Sequence, residues 1–222
     1  MLATSLFFGS IAEDVVTNDT LVNWDRHIAA WIQSQNNSSL TRIMVIVTQL
    51  GGFPVVVVIC AITGLLLWRR HSYPLLIALI LAVPGGMTFN LLLKIAFHRD
   101  RPPVEHPFVP TTSYSFPSGH TMAATTLYGF LVIIAFSMLR KEHALPLALA
   151  AALMIAAVAV SRIYLGAHYL SDVLGAIAAG LAWLTFSFRL VSFNHPTKQR
   201  SVALKTHKGG EAHVRFKSWR KP

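Results

Sequence analysis

The stretch "YPLLIALILAVPGGMTFNLLLKIAFHRDRP", residues 73–102, decides the fold class of this chain. Its first 21 residues carry no charged side chain, whereas Lys94, Arg99 and Arg101 follow within the next eight. A helix that spans a bilayer needs about 20 mostly apolar residues. The stretch therefore predicts a transmembrane helix that ends in a cluster of positive charge.

The rest of the chain has the same character. Its 222 residues are 54% hydrophobic and only 13% charged, which is too apolar for an ordinary soluble domain. No fixed-period repeat or long linker divides it. The predicted fold is all-α, a polytopic transmembrane bundle in one domain (residues 1–190). Five segments are long and apolar enough to span: 43–68, 73–97, 120–139, 144–160 and 168–190.

The N-terminal region is harder to assign. Residues 1–12 are apolar but too few to cross a bilayer, so a sixth spanning helix stays open. Residues 23–33, "NWDRHIAAWIQ", place Trp24, Ile28 and Trp31 at helical spacing. This pattern fits either an amphipathic helix in the membrane interface or a packed connector.

The net charge of +10 is unevenly distributed. Residues 189–222 contain nine of the 19 Lys and Arg residues and only one acidic residue. Further basic clusters lie at residues 68–71 and 140–143. Alternating the five helices puts these three regions on one side of the membrane, as the positive-inside rule requires of a cytoplasmic face. We therefore expect a bacterial inner-membrane protein with a basic cytoplasmic tail (residues 191–222), anionic lipids near that tail, and no nucleic-acid partner.

Three polar stretches fall on the opposite, outer face: residues 94–102, 115–121 and 161–172. Ionisable groups at membrane depth are costly and usually mark function. Lys and Arg side chains from separate helices make an anion site, and the guanidinium fork matches phosphate. In "PSGH" (117–120) the backbone N–H groups of residues 118–120 would open a helix toward the anion. Together these stretches supply Lys94, Arg99, Arg101, Ser118, Gly119, His120, Arg162, His168 and Asp172.

Two histidines supply what the cleavage of a phosphoester needs, a nucleophile for phosphorus and an acid for the leaving oxygen. Asp172 follows His168 by four residues, so the two share one helix face. A carboxylate there would keep one ring nitrogen protonated and leave the other as a nucleophile.

These residues resemble the type 2 phosphatidic acid phosphatase (PAP2) superfamily of membrane lipid phosphatases and vanadium haloperoxidases. Its three motifs stand here as Lys94 with Arg101-Pro102, as Pro-Ser-Gly-His at 117–120, and as Ser161-Arg162 with His168 and Asp172. The resemblance implies the following roles: His168 as nucleophile, Asp172 as its orienting group, His120 as acid, and Lys94, Arg101, Ser118, Gly119 and Arg162 as phosphate ligands. It implies no cofactor and no metal.

The resulting hypothesis is an integral membrane phosphatase with a phosphohistidine intermediate. A lipid phosphotransferase with the same site, a haloperoxidase and a non-enzymatic anion channel or scaffold are the alternatives. Phosphatidic acid, phosphatidylglycerol phosphate and undecaprenyl pyrophosphate all remain open as substrates, and the sequence does not predict an oligomeric state.

Three further residues are interpreted as follows. His98 and Arg99 occupy positions that the family motif leaves free, so we expect them to be solvated or to face headgroups. Asn90, one turn before Lys94, is either an interhelical hydrogen bonder or a ligand contact.

Overall fold

The computed structural model describes residues 2–35, 37–103 and 113–194. Those residues form helices joined by short turns, with no strand among them, and the predicted all-α fold is confirmed. Most of the predicted tail and most of the Pro-rich loop after Pro103 lie outside the described residues. The eight helices are α1 (Leu2–Thr17), α2 (Thr20–Ser34), α3 (Ser38–Gln49), α4 (Phe53–Arg69), α5 (Tyr73–Phe97), α6 (Gly119–Met138), α7 (Lys141–Tyr164) and α8 (Leu170–Asn194).

Five helical stretches in the described part of the chain are long and apolar enough to cross a membrane, in agreement with the five predicted spans. They are residues 38–69, α5, α6, α7 and residues 170–191 of α8. Many large apolar side chains on these helices are exposed, including Ile62, Leu66, Leu92 and Leu153, as expected of a surface that faces lipid.

The first predicted span, residues 43–68, lies within the spanning stretch of residues 38–69, but a break divides that stretch into two helices. α3 ends at Gln49 and α4 begins at Phe53, with Gly51 and Gly52 in the break. A Cβ on Gly51 would lie 2.6 Å from the carbonyl oxygen of His120, so only glycine allows this backbone to approach α6 so closely. Pro54 in the first turn of α4 then starts the new helix.

Helix α6 lies at the centre of the bundle and contacts α5, α7 and α8. Every residue from Thr121 to Tyr128 is buried. Close helix packing occurs at the "PGG" of residues 84–86 in α5. A Cβ on Gly86 would lie 3.1 Å from Thr126 and 3.2 Å from Trp183, so this glycine lets α5 approach both α6 and α8.

The two ends of the bundle differ. At one end Arg70, just after α4, donates to the Sδ of Met138 at the end of α6 (3.8 Å). The α4–α5 and α6–α7 junctions, with the basic clusters at 68–71 and 140–143, therefore share one end. The three polar stretches predicted for the outer face meet at the other end.

The N-terminal helices pack around that second end. α1 is not among the spanning helices, and it lies against α8, where Ile11 and Val15 are buried beside Phe116. In α2 both sequence interpretations hold in part. Trp24 and Trp31 are exposed, as in an interfacial helix, whereas the opposite face of α2 packs against α7 and α8.

Candidate active site

The three predicted motifs converge at the C-terminal ends of α5 and α7 and the N-terminal ends of α6 and α8. Lys94 donates to the carbonyl of Ser115 (3.2 Å), which precedes α6. The N–H of Ser118 donates to the carbonyl of Asp172 (3.0 Å), and Arg101 donates to the carbonyl of Ala167 (2.6 Å). Three segments far apart in sequence are thereby fixed to one another.

His168 and Asp172 form a buried pair. Nδ1 of His168 lies 3.2 Å from Oδ2 of Asp172, and the two residues are 2% and 0% exposed. Since an ionised carboxylate only accepts, Nδ1 carries the proton and Nε2 keeps its lone pair. Burial lowers the pKa of His168 from 6.5 to about 3 despite the opposing hydrogen bond and charge of Asp172, so the ring is neutral at physiological pH.

The carboxylate of Asp172 is held on both oxygens. Oδ2 accepts from His168, from the hydroxyl of Ser115 and from the N–H of Tyr169 (2.9 Å). Oδ1 accepts from Arg99 (2.6 Å). A carboxylate with this many partners cannot rotate freely, and it therefore fixes the orientation of the His168 ring.

Arg101 lies against the other side of that ring. Its guanidinium Nη1 is 3.3 Å from Nε2 of His168, and its Nε donates to the carbonyl of Ser113 (2.6 Å). A phosphate positioned by Arg101 would thus meet the nitrogen of His168 that carries the lone pair. The arrangement fits a nucleophile beside an anion site.

Arg162 approaches from α7. It is 4% exposed, and one guanidinium nitrogen donates to the hydroxyl of Thr48 on α3 (3.0 Å). Its Nε is buried and has no hydrogen-bond partner among the described residues. An unpaired buried N–H is costly, so a donor left in this way at a cationic site is suited to an oxyanion.

His120 and Gly119 line a cavity of about 290 Å³ between α4, α5 and α6. Lys94 and Ser113 add polar groups at the same cavity, and the rest of its wall is largely apolar: Phe53, Val56, Met87, Leu91 and Ala123. Asn90 also lines it, and its amide donates to the carbonyl of Pro117 (3.3 Å), which supports the interhelical interpretation of Asn90. The cavity therefore joins a cationic, histidine-bearing end to an apolar wall.

One predicted donor differs. The N–H of Ser118 was expected to face the anion, but it donates to the backbone carbonyl of Asp172 instead. The hydroxyl of Ser118 accepts from Thr121 (3.0 Å), so its own proton can still point toward a ligand. The N–H groups in the first turn of α6, from Gly119 onward, keep the predicted geometry of a helix N-terminus.

The prediction for Arg99 is wrong. Its side chain is 10% exposed and bridges two buried carboxylates, Asp172 at 2.6 Å and Asp25 of α2 at 2.7 Å. The sequence assigned Arg99 to headgroups because its spacing lies outside the motif. The partner that buries it is 74 residues away, and such a distance leaves no local signal.

Ser115 and Thr48 were also missed. Both hydrogen-bond to predicted site residues, Ser115 to Asp172 and Thr48 to Arg162. Ser115 lies two residues before the Pro-Ser-Gly-His motif, so its proximity to the site was available from the sequence. Thr48 was not predictable, because it reaches the site only through the break between α3 and α4.

Among the described residues, no three His, Cys, Asp or Glu side chains lie close enough together to hold a metal ion. The carboxylates at the site are already paired with Arg99, and the remaining side chains are cationic or neutral. The described groups suit an anion better than a divalent cation.

Comparison with known proteins finds similarity to a family model, to a curated protein and to solved structures. The PAP2 superfamily model matches residues 73–196, more than half of the chain. Phosphatidylglycerophosphatase B of Bacillus subtilis (strain 168) is 31% identical over 185 residues, covering 79% of this chain and 87% of that protein.

Two solved structures are similar. The crystal structure of a transmembrane PAP2 type phosphatidylglycerolphosphate phosphatase from Bacillus subtilis superposes with a TM-score of 0.75 at 29% identity. This match covers 90% of our chain and 98% of that one. Aquifex aeolicus LpxE, at 22% identity, shares the fold with a TM-score of 0.60 over 75% of this chain and 95% of its own. With its motifs, fold and relatives in agreement, the chain belongs to the PAP2 superfamily, in the branch of membrane lipid phosphatases.

Proposed function

We propose that this membrane phosphatase hydrolyses the phosphomonoester of phosphatidylglycerol phosphate. The observation that carries the choice is the similarity to the Bacillus subtilis phosphatidylglycerophosphatase, which extends over most of both chains. Phosphatidic acid and undecaprenyl pyrophosphate present the same phosphate chemistry and become the comparison substrates. The cationic site recognises the phosphate, and the remainder of the lipid decides among them.

The cavity supports a lipid substrate. Its polar end carries Lys94 and His120, and its apolar wall includes Phe53, Val56 and Leu91. Phe53 is 79% exposed and Leu91 is 56% exposed, so the wall is continuous with the surface that faces lipid. A phosphate can therefore reach the site while its hydrocarbon part stays in an apolar medium.

The geometry supports a two-step reaction. Nε2 of His168 attacks phosphorus, the bond from phosphorus to the alcohol oxygen breaks, and protonated His120 gives its proton to that oxygen. Water then attacks the phosphohistidine, with His120 taking a proton from the water, and inorganic phosphate leaves. Asp172 keeps Nδ1 protonated and stabilises the positive ring during attack.

Lys94, Arg101 and Arg162 would bind the phosphate oxygens, with the Ser118 hydroxyl and the first turn of α6 as further donors. The ion pairs of the described residues give none of these three cations a carboxylate partner. Their charge is available for the trigonal phosphoryl group of the transition state, where it stabilises most.

The site is proposed to open on the outer face of a bacterial cell membrane. Arg69, Arg70, Arg140 and Lys141 lie at the opposite end of the bundle from His168, and this asymmetry supports a cytoplasmic location for that end. The substrate would then be drawn from the outer leaflet.

The experiment measures phosphate release by the purified protein in detergent from the three lipids side by side, with and without EDTA. We expect the highest kcat/KM on phosphatidylglycerol phosphate and no effect of the chelator. A higher kcat/KM on either other lipid would reassign the substrate, and a strict requirement for an added divalent ion would contradict the mechanism. Transfer of phosphate to an added alcohol, in preference to water, would favour the phosphotransferase.

A further inference from the structure

The buried carboxylate of Asp25 has no role in the mechanism above. It lies on α2, before residues 73–196 that the family model matches. Asp25 is 1% exposed and accepts hydrogen bonds from Arg99 (2.7 Å), from the N–H of Ser171 (2.9 Å) and from the Ser171 hydroxyl. A buried carboxylate with three donors is specifically built into the fold.

Arg99 connects this carboxylate to the catalytic pair. One guanidinium nitrogen donates to Asp25, and the other donates to Asp172 (2.6 Å) and to the hydroxyl of Ser171 (2.6 Å). The guanidinium carbon also lies 4.5 Å above the centre of the Tyr169 ring. Because the guanidinium is planar and rigid, fixing one nitrogen fixes the direction in which the other donates.

We propose that Asp25 is a positioning residue, which sets Arg99 so that Arg99 holds Oδ1 of Asp172 and thereby fixes the His168 ring. Asp25 acts through two other side chains and does not reach the phosphate. The assignment rests on the proposed function, because it concerns the orientation of the proposed nucleophile.

The alternative is a purely structural ion pair that fastens α2 to α8. Val22 and Ala29 on α2 are also buried, and Ile28 packs against the cluster of Ala159, Ile163 and Val173, so α2 has apolar anchors of its own. A structural pair would affect folding and would leave kcat of the folded enzyme unchanged. A positioning pair affects kcat while KM stays nearly constant, because substrate binding does not require the correct ring orientation.

The test uses the full-length protein in detergent with variants Asp25→Asn, Arg99→Gln and the double variant. We expect each single variant to lower kcat roughly 10- to 100-fold with KM within about threefold, the range seen when groups behind a reacting side chain are removed. The double variant should lose no more than the worse single one, because both changes break the same connection. If the loss of kcat in the double variant equalled the product of the two single losses, the proposal would be overturned.

A fourth variant addresses the fork itself and also serves if Asp25→Asn does not fold. The variant Arg99→Lys keeps the positive charge, but its single ammonium group cannot present two fixed nitrogens to two carboxylates. We expect it to lose nearly as much kcat as Arg99→Gln. Full activity of Arg99→Lys would mean that charge alone suffices, and the proposal would be wrong.

Asp19→Ala is the matched control on the same helix. Asp19 caps α2 by accepting from the N–H of Thr20 (2.7 Å), so this variant weakens α2 without contacting Arg99. Its kcat should stay within about twofold of the wild type while its thermal midpoint falls. An equal kcat loss in Asp19→Ala would show that α2 acts only structurally. A wild type that releases no phosphate would instead overturn the proposed function, and this proposal with it.

Discussion

Gly51→Ala tests how strictly the break between α3 and α4 positions His120. The added Cβ would lie 2.6 Å from the His120 carbonyl oxygen and 2.8 Å from Cγ1 of Val158. A carbon and a carbonyl oxygen approach to about 3.3 Å in favourable contacts. The backbone at His120 or at the break must therefore move by roughly 0.7 Å to relieve the oxygen contact alone.

A displacement of this size has two expected consequences. Because a 1 Å misplacement of reacting groups can cost about 100-fold in rate, we expect kcat to fall roughly 10- to 100-fold. Overpacking against Val158 should also destabilise the protein by about 1–3 kcal/mol. Both are measured on the purified protein, kcat from phosphate release and stability from the thermal midpoint.

The control is Gly64→Ala in α4. Its Cβ would meet only the side-chain ends of Leu76 and Leu79, each at 3.6 Å, which is an ordinary contact. Its kcat should equal that of the wild type. If Gly51→Ala also keeps kcat within twofold while its midpoint falls, the position of His120 does not depend on this close approach and the reasoning is refuted.

Three further predictions concern mechanism and topology. His168→Ala should abolish turnover while lipid binding persists, and the wild type should yield a phosphoprotein that survives base and is lost in acid; an acid-stable, base-labile adduct would contradict the assignment. Because burial lowers the pKa of His168 to about 3, the loss of kcat/KM at acidic pH should reflect protonation of the substrate phosphate and not of His168. This loss should therefore move to lower pH with a lipid phosphorothioate, and a loss centred near pH 6.5 for both substrates would contradict the prediction. In a Cys60→Ala background, an impermeant thiol reagent should label Asp100→Cys in intact cells and label Lys141→Cys only after permeabilisation; the reverse would place the site in the cytoplasm.

The membrane class and the convergence of the motifs were predictable because both follow from strong local patterns. Apolar runs of about 20 residues define spans whatever their neighbours are. Alternating these spans then places the end of α5, the start of α6 and the junction of α7 with α8 on one face, without any knowledge of helix packing. The distances within the site add detail to that placement.

The break at Gly51 and the buried state of Arg99 were not predictable for a common reason. Each depends on a contact between segments far apart in sequence, Gly51 with His120 and Arg99 with Asp25. An apolar run that contains Gly51 and Gly52 predicts one continuous helix as long as the helices that pack against it are unknown. A lone aspartate in an amphipathic segment likewise reads as a solvated group, since burial of a carboxylate is favourable only with a partner that the local sequence does not contain.

The stretch that defines the fold can now be divided by function. Lys94 and Arg101 have no carboxylate partner among the described residues. Arg99, which lies between them in the sequence, forms ion pairs with two carboxylates. Arg99 therefore adds no uncompensated positive charge to the proposed phosphate site, because Asp25 and Asp172 together more than balance it. Were Asp25 absent, Arg99 would be shared only with Asp172. In the proposed mechanism it would then weaken the attraction of that carboxylate for the positive ring of His168 during attack. In the proposed mechanism, the second carboxylate, on α2, therefore lets the Arg99 guanidinium orient the proposed nucleophile without cancelling the negative charge that stabilises its positive ring.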